Sequence, residues 1–313
     1  MIQEKITVGL GTEYPLSGML ILPDKIDKPV PAVVFVHGSG SSNMDEKIGK
    51  ITPFKDLAER LAAHGIASIR YDKRSFVHAM KMLRDKSKVI TVKEETIEDA
   101  VLATEMLRAD ERIDSDKIFI IGHSMGGMLA PRIDAEGGNY KGLIIMAGTL
   151  RKLEEVLIDQ NEEAMASMNA FLKWIAGKQM KQLKDSFAGI YGMTDEEAKK
   201  KKFGGGTTMY YFKEMGEHPA ADYLKNMEKP MLIMQGDKDF QVKAKVDFDG
   251  YKSLLKNRAN VTFKLYDGLN HAFVPYISEN IMKAKQEYKT ERHIEENVIR
   301  DIAAWIHNVA DAE

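Results

Sequence analysis

The sequence predicts an α/β domain built on a mostly parallel sheet. Short β-rich apolar runs alternate with longer amphipathic stretches, the pattern of strands connected by crossover helices. Some of those runs, PAVVFVHGSG above all, are apolar without alternation, as a strand covered on both faces must be. The 313 residues also suffice for one large core, with or without an insertion.

Taken in order, ITVGL and GMLILP, joined by GTEYPLS, read as an opening antiparallel hairpin. PAVVFVHGSG is the next strand and runs out into glycines. PFKDLAERLAAHG places Phe54, Leu57 and Leu61 at helical spacing, with Gly65 closing the helix. IASIRYD is a strand, and TIEDAVLATEMLRAD a helix expected to be N-capped by Thr96 with Asp99 three residues on. Then come the strand DKIFIIGHS, the helix MGGMLAPRIDAEG and the strand YKGLIIMAGT. Here the alternation stops. Residues 150–228 are polar, Met-rich and mostly helical, and include the solvated run EEAKKKK and the flexible triplet Gly204-Gly205-Gly206. Strand character returns with KPMLIMQGDKD, followed by a helix over 246–255, the strand VTFKLYDG and an amphipathic helix over 294–309. The expected division is a core of residues 1–149 and 229–313 interrupted by a helical insertion, 150–228.

Composition narrows the partners. A formal net charge of −2 gives no electrostatic reason to expect nucleic acid or an anionic membrane. No run approaches the roughly 20 apolar residues of a membrane span. The opening MIQEKITVGL lacks the basic and apolar regions of a secretory signal. With no cysteine there is no disulfide or thiolate metal site, and no H-E-x-x-H or similar ligand spacing occurs. The expectation is a cytoplasmic protein acting on a small molecule without metal or cofactor.

The chemistry centres on Gly122-His123-Ser124-Met125-Gly126. This G-x-S-x-G lies between a strand and a helix, where the turn is too tight for side chains at the flanking glycines and aims the serine off the sheet edge. A serine hydroxyl needs a base, and the base needs an orienting carboxylate. Asp239 follows the strand MLIMQ and His271 follows VTFKLYDG, so both fall at the same sheet edge in the chain order Ser, Asp, His. Asp237 is a rival acid, better suited to a turn. Oxyanion donors are expected from the Met125 N–H and the Ser39 N–H, the latter in the loop His37-Gly38-Ser39-Gly40. Candidate substrate contacts are His37, Gly38, Arg74, His123, Arg132 and, from the insertion, Trp174, Tyr210 and Tyr211. Arg74 and Arg132 could instead brace loops by pairing with acids such as Asp45 or Glu46. The insertion's methionines, Met165, Met168, Met180, Met193, Met209 and Met215, fit either a pliable acyl pocket or ordinary helix packing.

The elements VVFVHGSG, RYDKR, GHSMGG, GDKDFQV and GLNHAF resemble those of the α/β-hydrolases over nearly the whole chain. That resemblance implies a mostly parallel eight-stranded sheet flanked by helices, with a helical lid inserted after strand 6. Within the superfamily the chain is most similar to bacterial serine esterases of the dienelactone-hydrolase and prolyl-oligopeptidase-like branch, which are mostly carboxylesterases, including acetyl and feruloyl esterases. The implied substrate is a small-molecule carboxylic ester, and lid or edge-strand homodimers are common on this scaffold. Thioester or amide hydrolysis and acyl transfer would use the same residues, and a binding protein on a hydrolase scaffold is the reading of another class. Serine at position 124 excludes the Asp of a haloalkane dehalogenase and the Cys of a dienelactone hydrolase. One departure stands out: where such enzymes usually continue DKR with Gly-x-Gly, this chain has Ser75-Phe76-Val77-His78, so the neighbouring loop is expected to differ in shape.

Overall fold

The computed structural model describes residues 1–85, 88–204, 207–276 and 288–312. Among them, β1 (Ile2–Val8), β2 (Leu16–Leu22), β3 (Val30–Val36), β4 (Ala67–Tyr71), β5 (Ile113–His123), β6 (Gly142–Met146), β7 (Met231–Gly236) and β8 (Val261–Tyr266) form one sheet. Its order is β1-β2-β4-β3-β5-β6-β7-β8. β2 is antiparallel to both neighbours, and every pairing from β4 through β8 is parallel.

The unbroken apolar run of β3 has a simple cause. Ala32, Val34 and Val36 face one buried cluster, while Val33 and Phe35 face the other. Helices α1 (Pro53–Ala63) and α12 (Glu296–Asp311) cover the second face through Phe54, Leu61, Ile299 and Ile302. α4 (Glu98–Arg108) and α5 (Met125–Ile133) cover the first through Ala103, Leu107 and Leu129. Gly65 follows the α1 cap residue His64 with φ +77°, the left-handed position that glycine takes at no steric cost.

Two details of the helices go beyond the sequence pattern, each for a local reason. Thr96 is not a cap but lies buried within a wide turn, Lys93–Ile97, that runs into α4. The start has moved back to Thr91, whose Oγ1 accepts from Lys93 N–H while Glu94 accepts from the Thr91 N–H and hydroxyl. TVKE is thus the capping box, and it lets Val92 and Ile97 both bury. After Asp72-Lys73 the chain forms two short helices, α2 (Arg74–Val77) and α3 (Ala79–Arg84). Of the Gly204–Gly206 triplet, Gly205 and Gly206 lie outside the described residues.

Between β6 and β7 run α6 (Leu153–Ala166), α7 (Ala170–Phe187), α8 (Asp195–Lys200), α9 (Met209–Glu217) and α10 (Ala220–Lys225). α9 faces the sheet with Tyr211, Phe212 and Met215, whereas Phe171 and Trp174 of α7 are largely exposed. α11 (Asp249–Leu254) connects β7 to β8. Among the described residues, no helix is long and apolar enough to cross a membrane.

Candidate active site

Ser124 occupies the single residue between β5 and α5, with φ 55° and ψ −118°. Such a conformation is costly for a non-glycine residue, and its neighbours hold it in place. Ser124 N–H donates to Met146 O at 2.9 Å, fastening the turn to β6. The flanking glycines are obligatory. A Cβ on Gly122 would lie 2.2 Å from Gly126 O, and one on Gly126 would lie 2.1 Å from Val36 O. The sequence context therefore delivers a partly exposed hydroxyl at the N-terminus of α5, where Met125 N–H has no intrahelical acceptor.

Asp239 and His271 stand beyond the C-terminal ends of β7 and β8. Asp239 Oδ2 accepts from His271 Nδ1 at 2.6 Å and from Gln235 Nε2 at 2.8 Å. Its Oδ1 accepts from the N–H groups of Gln241 and Val242 at 2.8 and 3.0 Å. This carboxylate is fully committed and points one way. Since it only accepts, the His271 proton resides on Nδ1 and leaves Nε2 as a base. The rival Asp237 serves as a turn residue, accepting from Gly268 N–H at 2.7 Å. Among the described residues no hydrogen bond joins Ser124 Oγ to His271, a contact that often tightens only around substrate.

The loop after β3 crosses Ser124 closely enough that a Cβ on Gly38 would sit 3.1 Å from Ser124 Cβ and 3.6 Å from its Oγ. Two buried charges hold this glycine. Gly38 N–H donates to Glu46 Oε1 at 2.9 Å, and Lys73 Nζ donates to Gly38 O at 2.9 Å. Glu46 Oε2 lies 2.9 Å from His123 Nδ1, and His123 Nε2 donates to His271 O at 2.8 Å. Burial pushes the His123 imidazole down, yet the Glu46 carboxylate outweighs it and leaves the ring above its ordinary value. Burial pushes Glu46 up, and His123 with the other contacts brings it below the usual carboxylate range. The Glu46–His123 contact thus ties the loop after β3 to the backbone that carries His271.

Beside the loop is a cavity of about 670 Å³ with Ser39 in its wall. Phe76, Met82 and Leu83 come from α2 and α3, and Leu153, Leu157, Tyr211 and Phe212 from the helices between β6 and β7. Glu95 is the carboxylate of the wall. It accepts from Tyr211 OH at 2.6 Å and lies 3.4 Å from Lys73 Nζ. Burial raises its pKa, but the Lys73 charge and the Tyr211 and Ser75 hydroxyls hold it below the ordinary value.

The candidate substrate contacts divide. Tyr211 is in the cavity wall, whereas Trp174 is 63% exposed on α7 and Tyr210 lies under Lys199, neither in that wall. Arg74 is a brace, bound by Asp99 at 3.1 and 2.5 Å and by Glu98 at 3.0 Å. Arg132 is likewise taken by Glu136 and Glu214. The partners are not Asp45 or Glu46, since Asp45 pairs with Arg70. His37 is buried against Phe54 and Tyr71 with Nε2 3.0 Å from Asn43 O, and burial lowers its pKa to about 4. It shapes the loop without facing the cavity. Sequence reasoning missed Glu46, Lys73, Glu95 and Gln235 as site residues. The available signal was the lysine inside RYDKR, a cation directly after a buried strand.

A family model described as serine aminopeptidase, S33, matches residues 27–275. Esterase EstD of Thermotoga maritima is 34% identical over 292 residues, which cover 93% of this chain. This chain spans only 65% of that relative's length. The Pyrococcus furiosus esterase Pf2001 superposes with a TM-score of 0.56 at 15% identity, over 98% of this chain and 91% of its own. The esterase domain of a Rhodothermus marinus protein gives 0.55 at 16% identity, over 98% and 99%. Est1E from Butyrivibrio proteoclasticus with ferulic acid bound gives 0.54 at 16%, over 95% and 99%. At those identities the likeness to the solved structures is one of fold.

Proposed function

Because the chain belongs to the serine aminopeptidase (S33) family of α/β-hydrolases, we propose that it hydrolyses carboxylic esters through an acyl-enzyme on Ser124. The observation that carries this reading is the His271–Asp239 contact of 2.6 Å, presented at the sheet edge that also bears Ser124. His271 Nε2 takes the hydroxyl proton as Oγ attacks the ester carbonyl. The Met125 and Ser39 N–H groups receive the oxyanion, and Asp239 stabilises the imidazolium. The alcohol leaves with the proton from His271, which then activates water to release the acid.

The acyl group, a short aliphatic chain or an aromatic acid of the feruloyl type, enters the apolar cavity beneath Phe76 and Phe212. In this reading residues 150–228 act as a cap, since Leu153, Leu157, Tyr211 and Phe212 contribute to that cavity. An ester is favoured over a peptide N-terminus by the state of Glu95. An aminopeptidase needs a free carboxylate for the substrate ammonium, and Glu95 is already engaged by Lys73 and Tyr211. The test is hydrolysis of p-nitrophenyl acetate and butyrate by wild type and Ser124→Ala. We expect the variant to lose activity by roughly 10⁴-fold or more, and full activity in the variant would refute the mechanism.

A further inference from the structure

Lys73 is an unusual residue to bury. Its side chain is 2% exposed, yet it stands at the C-terminal end of β4 in a loop that could have carried it into water. Its ammonium reaches two groups, Gly38 O at 2.9 Å and Glu95 Oε1 at 3.4 Å. The first contact matters for chemistry because of peptide geometry. The Gly38 carbonyl and the Ser39 N–H belong to one planar trans unit, so they point in opposite directions. An ammonium that grips the carbonyl oxygen from behind fixes where the N–H on the other side is aimed. It also draws electron density toward that oxygen and strengthens the N–H as a donor. Glu46, on the Gly38 N–H, holds the preceding peptide, so the donor peptide has little freedom to rotate.

We propose that Lys73 is the positioning residue of the oxyanion hole, holding and polarising the Gly38–Ser39 peptide so that the Ser39 N–H is presented to the tetrahedral oxyanion. The assignment rests on the ester-hydrolase reading above. It also gives Glu95 and Tyr211 a purpose. Glu95 anchors the ammonium, Tyr211 donates to Glu95 at 2.6 Å, and the Tyr211 hydroxyl lies 3.8 Å from Met125 Sδ, in the residue that supplies the other donor. Tyr211 lies in α9, so the helices between β6 and β7 reach the oxyanion peptide through one chain of buried contacts.

The test removes both charges together, since Lys73→Met alone would strand the Glu95 carboxylate. For Lys73→Met/Glu95→Gln we measure kcat and KM separately for p-nitrophenyl butyrate. We also measure affinity for a trifluoromethyl ketone, which adds to a serine to give a tetrahedral oxyanion. The expected result is a fall in kcat of about 10- to 100-fold, less than outright loss of an oxyanion donor, with KM within about twofold. Ketone affinity should fall by the same factor as kcat. Unchanged kcat, or KM and ketone affinity weakened equally, overturns the assignment, because a merely structural lysine would loosen ground state and transition state alike. If the double variant does not fold, the isosteric Glu95→Gln decides. Loosening the anchor should lower kcat about 3- to 10-fold with the same split, and an unchanged kcat overturns the proposal. Ser124→Ala run alongside separates the two failures. Activity independent of Ser124 overturns both readings, whereas Ser124-dependent activity indifferent to Lys73 overturns this one alone.

Discussion

Replacing Glu46 by glutamine tests whether a charged imidazole is buried beneath the loop after β3. The shape is kept, and the amide oxygen can still accept from the Gly38 N–H. What is lost is the charge opposite His123. At the observed 2.9 Å the gross attraction is about 6 kcal/mol for an effective dielectric of 20. Desolvation of two ions offsets much of that, and His123 can shed its proton in the variant, so the expected net loss is about 2–4 kcal/mol at pH 5.5. The pH dependence is the sharper signature. The folded pKa of His123 lies above 6.5, so its contribution is complete below pH 6.5 and is lost as pH rises through the folded value. The folded pKa of Glu46 lies below 4.5, so its contribution is complete above pH 4.5 and is lost as pH falls through its folded value. The stability gap between wild type and Glu46→Gln should therefore be widest between those limits. Above pH 6.5 it should narrow at up to about 1.4 kcal/mol per pH unit until the folded value is passed. Urea unfolding of both proteins from pH 5 to 9 measures it. A gap that stays constant across that range would refute the buried ion pair.

Gly126→Ala places a methyl 2.1 Å from Val36 O and 2.7 Å from Val36 C, atoms fixed by the β3–β5 ladder. We expect a loss of about 3 kcal/mol or more, read as a fall in melting temperature or in soluble yield. A variant as stable as wild type would contradict the close passage of β3 beneath the turn. Phe212→Ala opens the cavity beside Phe187 and Phe203, its edge-on ring neighbours. The kcat/KM ratio for p-nitrophenyl octanoate over acetate should rise about tenfold, and an unchanged ratio would place the acyl group elsewhere.

What the sequence made readable was whatever depends on chain geometry near in sequence. A strand, a glycine-flanked serine and a helix must make a sharp turn, and positions just past β7 and β8 must share its edge. The succession of strands along the chain and the turn at Ser124 follow from those local rules, as does Gly65 at the end of α1, whereas the place of β4 between β2 and β3 does not. Charged side chains were harder. That Arg74 and Arg132 brace loops was a legible alternative, but not which acids they meet: Glu98 and Asp99 are 24 and 25 residues from Arg74, and Glu214 is 82 from Arg132, with only Glu136 close in sequence. Glu46, Lys73 and Glu95 looked like ordinary loop and helix-surface residues for the same reason. Only packing of the β3 loop, the end of β4 and the start of α4 against one another buries them. Thr96 failed differently, since two Thr-x-x-acid patterns, 91–94 and 96–99, follow one another and burial of Val92 and Ile97 decided between them.

The same distinction separates the chemistry from its selectivity. Ser124, Asp239 and His271 sit at strand ends that eight paired strands hold in register. Most of the cavity's apolar wall comes from two segments outside the sheet: the short helices that follow DKR, and the helices between β6 and β7. Ser75 to Val77 is the clearest case. Their helix, α2, brings Phe76 into the wall, 52% exposed and so within reach of whatever occupies the cavity. Lys73 lies directly before that helix and donates to Gly38 O at 2.9 Å. A substitution that shifts α2 to admit a larger acyl group would therefore also displace the ammonium, so selectivity and rate should change together at this one corner of the site.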